Sequence, residues 1–552
     1  MHIKALAKWS RFREISAVLL KYGFREVVKE FDLPGKDFIE SRMPVEAHEM
    51  NRWERIRHAL EELGPSFVKF GQIMSLRPDL LPAELINELS HLQDDVTPLD
   101  FETIKPAVEK HLGEKLEEVF SSFEEEVFAA ASLAQVHKAV LRESGREVAV
   151  KIRRPDIREI INTDISIMET VADHLYDRLE AARIYNFPDL VEEFKKAIKQ
   201  ELNFSHELRN MQIARRNLSD LDWLVISEPL EKWSGSAILT MEFVKGVKIK
   251  EITAEGGYDL PLLARRGVHL SLKQVLEYGF FHADPHPGNI LALPDNRLGI
   301  LDWGIVGHLS NDDRFEILSM LEAVIAREPA NILESFLVLG GGDIAEQDKR
   351  RALRDISVIL DSYLDIPLAS GNLGNLLMDI YSMLRKYHLY VPADLSLIFK
   401  TLVTLEGTTR LLDPEMDMVK EIEPFVTRMA WNRWHPENVF KRLRNTFYQF
   451  SRLQKDLPRR FRHILQKIET GDIVVRLRHE RLNSLRRSME YSINRLTIGI
   501  IVGSLIMGSS MIITTGIKPL IFGYPALGIV GYLLSAVIGF ALLISIYRSR
   551  KF

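Results

Sequence analysis

Hydrophobic and polar positions follow a helical period over most of the chain. Residues 1–115 read as helices, with breaks at Pro34, Pro44, Gly64-Pro65 and Pro78. The pattern changes between residues 118 and 152. Val127-Phe128, residues 134–141 and residues 147–152 read as three strands, with Glu143-Ser144-Gly145-Arg146 as the turn between the last two. Helical spacing returns over 156–215. Residues 237–243 predict a short buried strand closed by Lys245-Gly246, and 258–281 predict a helix. Residues 289–293 and 298–302 predict a hairpin through Pro294-Asp295-Asn296, and the pattern is helical from there to about residue 490. A small sheet followed by a helical lobe, with Asp- and Asn-bearing loops between them, predicts an α+β, two-lobed molecule with a cleft.

The last segment differs. Residues 496–517 and 519–547 are uncharged, and each run exceeds the roughly 20 residues needed to cross a hydrocarbon core. Gly499, Gly503, Ser504, Gly508, Ser509 and Ser510 make the first run rich in small residues, which lets membrane helices approach closely. The short connector Gly516-Ile517-Lys518-Pro519 predicts a transmembrane helical hairpin. Arg486, Arg487 and Arg495 precede it; Arg548, Arg550 and Lys551 follow it. The positive-inside rule then predicts a multi-pass membrane protein, with both hairpin ends and the large domain in the cytoplasm. No signal peptide is expected. Residues 5–31 are interrupted by Lys8, Arg11, Arg13, Lys21 and Arg25, and read as an amphipathic helix packed on its own domain.

Charge sharpens this picture. The 552 residues hold 72 Lys and Arg against 77 Asp and Glu, a net charge of −5. Residues 428–495 alone hold 17 basic and 6 acidic residues, and 496–552 add four basic and none acidic. An acidic body with a basic neck argues against nucleic acid as a partner. The neck adjoins the apolar runs and suits anionic membrane lipids. With no cysteine, the chain has no disulfide, thiolate nucleophile, Fe–S cluster or Cys-ligated zinc.

Four pieces of candidate chemistry stand in an informative order. A small-residue turn, Ala129-Ala130-Ala131-Ser132-Leu133-Ala134, joins two predicted strands. Val148-Ala149-Val150-Lys151 ends an apolar strand in a lysine. Then come His282-Ala283-Asp284-Pro285-His286-Pro287-Gly288-Asn289 and Leu301-Asp302-Trp303-Gly304. Phosphoryl transfer from ATP needs phosphates positioned and their charge neutralised. A strand-held lysine meets the α- and β-phosphates. An Asp followed by Gly after a strand suits Mg²⁺, and a loop Asp with an Asn five residues on supplies a base and a second oxygen ligand. The order matches the protein-kinase signature set. Alanines replace the glycines over the phosphates, which restricts the backbone there. Ala283 replaces the arginine of the kinase H-R-D triplet. A competing reading takes His282, Asp284 and His286 as a metal site of a hydrolase. His286 reads better as a structural loop residue, Trp303 as core, and Gln72 as a polar contact near the cleft.

With Lys69-Phe70-Gly71-Gln72 matching K-x-G-Q, these departures resemble the UbiB family, the atypical kinase-like proteins of ubiquinone biosynthesis. The resemblance runs from about residue 20 to 430, plus the hairpin typical of many bacterial members, and implies a bacterial inner membrane. It implies a kinase-like fold divided as an N-terminal extension (1–115), an N-lobe (116–246), a C-lobe (247–427), a basic neck (428–495) and membrane helices (496–552). It implies ATP or ADP with Mg as cofactors, and a lipid quinone precursor and other quinone-synthesis proteins as partners. By family position, Phe128, Ala129, Ala130, Ala131, Ser132, Leu133, Ala134, Gln135, Val136, Lys151 and Glu207 serve the nucleotide. Asp284 is the catalytic-loop acid; Asn289 and Asp302 hold metal; Lys69 pairs with Glu201 over the cleft. Asn203 stands where the family pattern E-x-D has an acid. Protein phosphorylation is not expected of a covered cleft. The resemblance leaves an ATPase, a lipid kinase and a nucleotide-binding pseudokinase scaffold open.

Overall fold

The computed structural model describes residues 2–24, 50–75, 81–92, 97–178, 182, 186–253, 256–340, 342–364, 373–387, 389, 393–433, 482–522 and 524–548. They fall into two units, within residues 1–440 and 441–552. Pro34, Pro44, Pro78 and most of the basic neck lie outside the described residues.

The first unit opens with helices α1 (His2–Lys21), α2 (Arg52–Leu63), α3 (Pro65–Ser75), α4 (Ala83–Ser90), α5 (Phe101–Leu112) and α6 (Leu116–Val119). A capping box starts α2: Asn51 Oδ1 accepts from Glu54 N at 3.0 Å, and Glu54 accepts from Asn51 N at 2.9 Å. Strands β1 (Phe120–Phe123), β2 (Ala129–Ala130), β3 (Ala134–Leu141) and β4 (Glu147–Arg153) follow, then α7 (Ile157–Arg178), α8 (Phe187–Glu201), α9 (Phe204–Asn217), β5 (Leu224–Ile226), β6 (Ile238–Glu242) and β7 (Val247–Lys248). The first sheet is antiparallel in the order β1-β3-β4-β6, with β2 also on β3.

Strand period decides which way β4 presents its residues. Val148, Val150 and Ile152 are buried on one face, against Ile104, Val108 and Phe120. Ala149 and Lys151 therefore take the other face, where Ala149 packs with α9 and the following lobe. Thus V-A-V-K alternation carries the lysine to the interlobe side.

That lobe comprises α10 (Leu260–Leu272), β8 (Phe280–His282), β9 (Ile290–Ala292), β10 (Leu298–Ile300), β11 (Val306–His308), α11 (Asn311–Ile325), α12 (Pro329–Gly340), α13 (Glu346–Leu364), α14 (Leu373–Lys386), α15 (Ala393–Leu412) and α16 (Met418–Arg433). The hairpin expected at 289–302 is β9–β10, with Ile290 opposite Ile300. The helix expected over 258–281 ends earlier. A π-helical turn, Lys273–Tyr278, closes it, and Gly279 reverses the chain at φ +62°. A Cβ at Gly279 would lie 2.7 Å from the Leu309 carbonyl oxygen, so the strand β8 that follows needs glycine there. Strands β1, β5, β8 and β11 are three or four residues long, too short for a period to register.

Helix α1 packs on its own domain. Ile15, Val18 and Leu20 are buried, and Arg11 pairs with buried Asp164 of α7 at 2.9 Å.

The second unit holds α17 (Leu482–Thr515), a two-residue-strand ribbon of β12 (Leu520–Ile521) and β13 (Tyr524–Pro525), and α18 (Ala526–Arg548). The connector is therefore longer than the four residues the sequence suggested. Among the described residues, Leu496–Thr515 is long and apolar enough to cross a membrane, and Ala526–Phe540 is a shorter apolar stretch. The two helices touch through small residues; of those expected on α17, Ser509 makes the contact and the three glycines do not. Nothing lies within 4 Å of a Cβ at Gly499, Gly503 or Gly508. The close approach is made by Gly528 and Gly531 of α18, against Ser509 and Ile513 of α17.

Candidate active site

The Lys151 ammonium donates to both carboxylate oxygens of Glu207, at 2.9 and 2.8 Å, and stands 3.5 Å from Asp302 Oδ2. Glu207 lies in the first turn of α9 and is buried. Three shifts follow. Burial pushes the Glu207 carboxyl up to about 7; Asp302 adds to that push and Lys151 opposes it. Burial also disfavours the Lys151 ammonium, but Asp302 and Glu207 outweigh it, so its pKa lies above the ordinary lysine value. For Asp302, burial is overcome by Lys151 and by the Gly304 N–H, which donates to Oδ1 at 2.7 Å, so the carboxyl sits below the usual range. Asp302 is thus ionised, with its chain turned away at Gly304. Asn210, one turn after Glu207, donates to the Trp303 carbonyl at 2.9 Å and ties this loop to α9. Trp303 is fully buried against Phe280, as a core residue.

The catalytic-loop candidates hang between β8 and β9. Gln274, from the π-helical turn, accepts from the His282 backbone N–H at 2.9 Å. His282 Nδ1 accepts from Asp284 N at 3.0 Å, which places the ring proton on Nε2, and burial keeps the imidazole neutral. His286 Nδ1 accepts from Gly288 N at 3.0 Å, a loop-shaping bond. The Asn289 carbonyl accepts from Leu301 N at 3.0 Å, so the hairpin register brings Asn289 beside the Asp302 turn. Among the described residues, no three His, Asp or Glu side chains converge as a metal-binding group, which gives the H-x-D-x-H reading no support.

Asp284 has a partner that the sequence reading missed. Lys400 Nζ of α15 stands 3.5 Å from its Oδ1. A lone lysine among Leu395, Ile398, Phe399 and Leu402, all buried, was the available signal. Lys69 of α3 forms an ion pair with Glu201 at the end of α8. The Lys69 charge is felt at both Asp302 and Lys400, so α3 stands over the same group of residues.

Comparison with known proteins bears directly on this arrangement. The ABC1 atypical kinase-like domain matches residues 91–336, the UbiB helical domain 356–417, and the ABC1/UbiB kinase-like C-terminal domain 480–548. The chain is 33% identical over 455 residues to a probable protein kinase UbiB of Cellvibrio japonicus, covering 81% of this chain and 80% of that one. The chain belongs to the UbiB family of atypical kinase-like proteins. It is also 31% identical to a protein of the hydrogenase 1 5′ region of Clostridium pasteurianum, across 98% of this chain and 99% of that one. Identity to the protein sll1770 of Synechocystis is likewise 31%, across 82% and 78%.

The UbiB motif on α3 divides its work. Lys69 faces the site, and Phe70 packs edge-on against Phe194 of α8 at 5.2 Å. Gly71 faces the other way: a Cβ there would lie 2.2 Å from a Leu92 methyl and 3.0 Å from one of Leu60. Gln72 donates to the Leu92 carbonyl at 3.2 Å, so it braces α3 from behind and is not the cleft contact expected. Asn203 caps α9, accepting from Ser205 N at 3.2 Å.

The alanine-rich turn is equally divided. Ala129 and Ala130 pair with Val136 and Gln135, and Ala131 N donates to the Ala134 carbonyl at 2.8 Å. Phe128 is exposed, stacked edge-on with Phe243 at 5.3 Å, with the Lys138 ammonium 4.5 Å from its ring centre. Val136 lies opposite Lys151 across β3 and β4. Ser132, Leu133, Ala134 and Gln135 are buried. Leu133 packs into the helical extension, and the Gln135 amide exchanges bonds with the Leu99 backbone at 3.0 and 3.2 Å. The structure therefore brings together Lys69, Lys151, Glu201, Glu207, Asp284 and Asp302. It sets Leu133 and Gln135 to bracing the turn.

Proposed function

We propose that this chain hydrolyses ATP at the cytoplasmic face of a membrane, in support of ubiquinone or a related isoprenoid quinone synthesis. One observation carries the reading: a strand lysine held between Glu207 and ionised Asp302, beside a loop presenting Asp284. Lys151 orients the nucleotide phosphates, and Glu207 fixes the lysine so that little reorganisation accompanies binding. Asn289 and Asp302 fit a magnesium ion: both offer oxygen, Asp302 is ionised, and the neighbouring His282 nitrogen is spent on Asp284 N. Bound there, Mg²⁺ would neutralise charge on the phosphates. Asp284 orients the acceptor and takes its proton. The Lys69–Glu201 pair, beside Lys400 and Asp302, narrows the acceptor side, which favours water or a small lipid over a peptide.

The membrane part of the proposal is a two-helix hairpin with both ends in the cytoplasm. It is supported by the Leu496–Thr515 span, by the 23-residue length of α18 and by exposed apolar side chains such as Met507, Met511, Leu527 and Val537. The test is ATP hydrolysis by the purified full chain with Mg²⁺, with and without anionic-lipid vesicles and a phenolic quinone precursor, beside Asp302→Asn. Vesicle-stimulated turnover that disappears in Asp302→Asn is expected. Nucleotide binding with no turnover above that blank would instead assign a scaffold.

A further inference from the structure

Among the described residues, three lysines stand around the site, and they are not equally occupied. Lys151 is enclosed by Glu207 and Asp302. Lys69 is paired with Glu201. Lys400 is a different case. Its partner among the described residues is one Asp284 oxygen at 3.5 Å, longer than a good charge-assisted bond, and its side chain is 25% exposed. An ammonium has three protons to donate. Burial disfavours the charge on Lys400, and nearby Lys69 disfavours it further; Asp284 only partly offsets them.

The helix that carries Lys400 is also fastened to the catalytic loop. Thr401 Oγ1 lies 3.3 Å from the Ala283 carbonyl oxygen, and Thr408 Oγ1 lies 3.3 Å from that of Pro285. Each hydroxyl is also 2.8 Å from the carbonyl four residues earlier in α15, so the loop contact is the longer arm of a shared proton. One face of α15 thus meets Ala283, Asp284 and Pro285 in succession. The position of Lys400 relative to Asp284 is set by backbone contacts on both sides.

We propose that Lys400 is a phosphate-facing residue of this site, which with Asp284 receives the terminal phosphate of bound ATP. It rests on the reading of the cleft as an ATP site. A cation fixed beside the catalytic-loop acid stabilises charge on the transferred group, and it contacts nothing in a diphosphate that ends one phosphate short. Lys400 then acts on the difference between ATP and ADP, whereas Lys151 acts on both.

The experiment measures Mg–ATP and Mg–ADP affinity and ATP turnover for the full chain, as wild type, Lys400→Met and Lys400→Arg. Lys400→Met should lower the ratio of ATP to ADP affinity about tenfold, leave ADP affinity within about twofold, and lower kcat on the order of a hundredfold. Lys400→Arg should restore the affinity ratio. If Lys400→Met does not fold, Lys400→Gln gives the same readout. An unchanged ratio, or equal losses for ATP and ADP, overturns the proposal while leaving the ATP site standing. A wild type that binds neither nucleotide overturns both. A wild type that binds without turnover removes the hydrolysis reading, and the affinity ratio still decides the role of Lys400.

Discussion

Two lysine–carboxylate pairs in this protein are built differently. Lys151 and Glu207 meet through two bonds of 2.9 and 2.8 Å, between a sheet strand and a helix, with Asp302 close by. Lys400 and Asp284 meet once, at 3.5 Å, between a helix and a loop. The first pair is closed within the protein. The second leaves ammonium protons and carboxylate lone pairs to be used. A closed pair holds the shape of a site; a loose pair is where an incoming charged group gains most.

The contrast is broken most severely by Lys151→Met, which leaves buried Glu207 and half-buried Asp302 without their cation. A loss of about 3–5 kcal/mol in urea unfolding is expected, whereas Lys400→Met should change stability by less than about 1 kcal/mol. Equal losses in the two variants would erase the distinction.

Glu207→Gln sharpens it through pH. The carboxyl is raised from 4.5 to about 7, so the folded state takes up a proton between those values. The Glu207 contribution is fully present below the unfolded value and is lost as pH rises through the folded one. Glutamine mimics the protonated form. The wild type should therefore lose more of its melting temperature between about pH 5 and pH 8 than the variant does. A parallel pH dependence in the two proteins would show that Glu207 keeps one protonation state across this range.

Smaller effects test the supports. Gly71→Ala puts a methyl into Leu92 and should cost about 1–3 kcal/mol in the unfolding midpoint, with a displaced Lys69 lowering turnover as well. Asn203→Ala removes a helix cap and should cost about 1 kcal/mol with nucleotide affinity intact. A larger loss of nucleotide affinity than of stability there would give Asn203 a role in the site.

The long strands and both chemical loops were legible because strand period and turn residues are local. Alternation over 147–152 already decided that Lys151 faces away from Val148 and Val150. The β9–β10 hairpin was legible from its Pro294-Asp295-Asn296 turn between two apolar runs. What escaped depends on contacts between distant residues. Lys400 is 116 positions from Asp284 and carries no motif. Gln72 was read by its place in K-x-G-Q, but helix rotation sends it to Leu92. Gly499, Gly503 and Gly508 looked like packing residues, yet rotation of α17 leaves them open and gives the contact to Ser509. Composition announces a small surface; only the partner helix determines which small residues are used.

The most direct measurement is equilibrium titration of the purified full chain with Mg–ATP, compared with Asp302→Asn and Lys151→Met. Saturable binding by the wild type that weakens at least tenfold in both variants is expected if this cluster holds nucleotide phosphates and metal. Equal affinity in all three, or no saturable binding by the wild type, would contradict the assignment of this cluster as the nucleotide site.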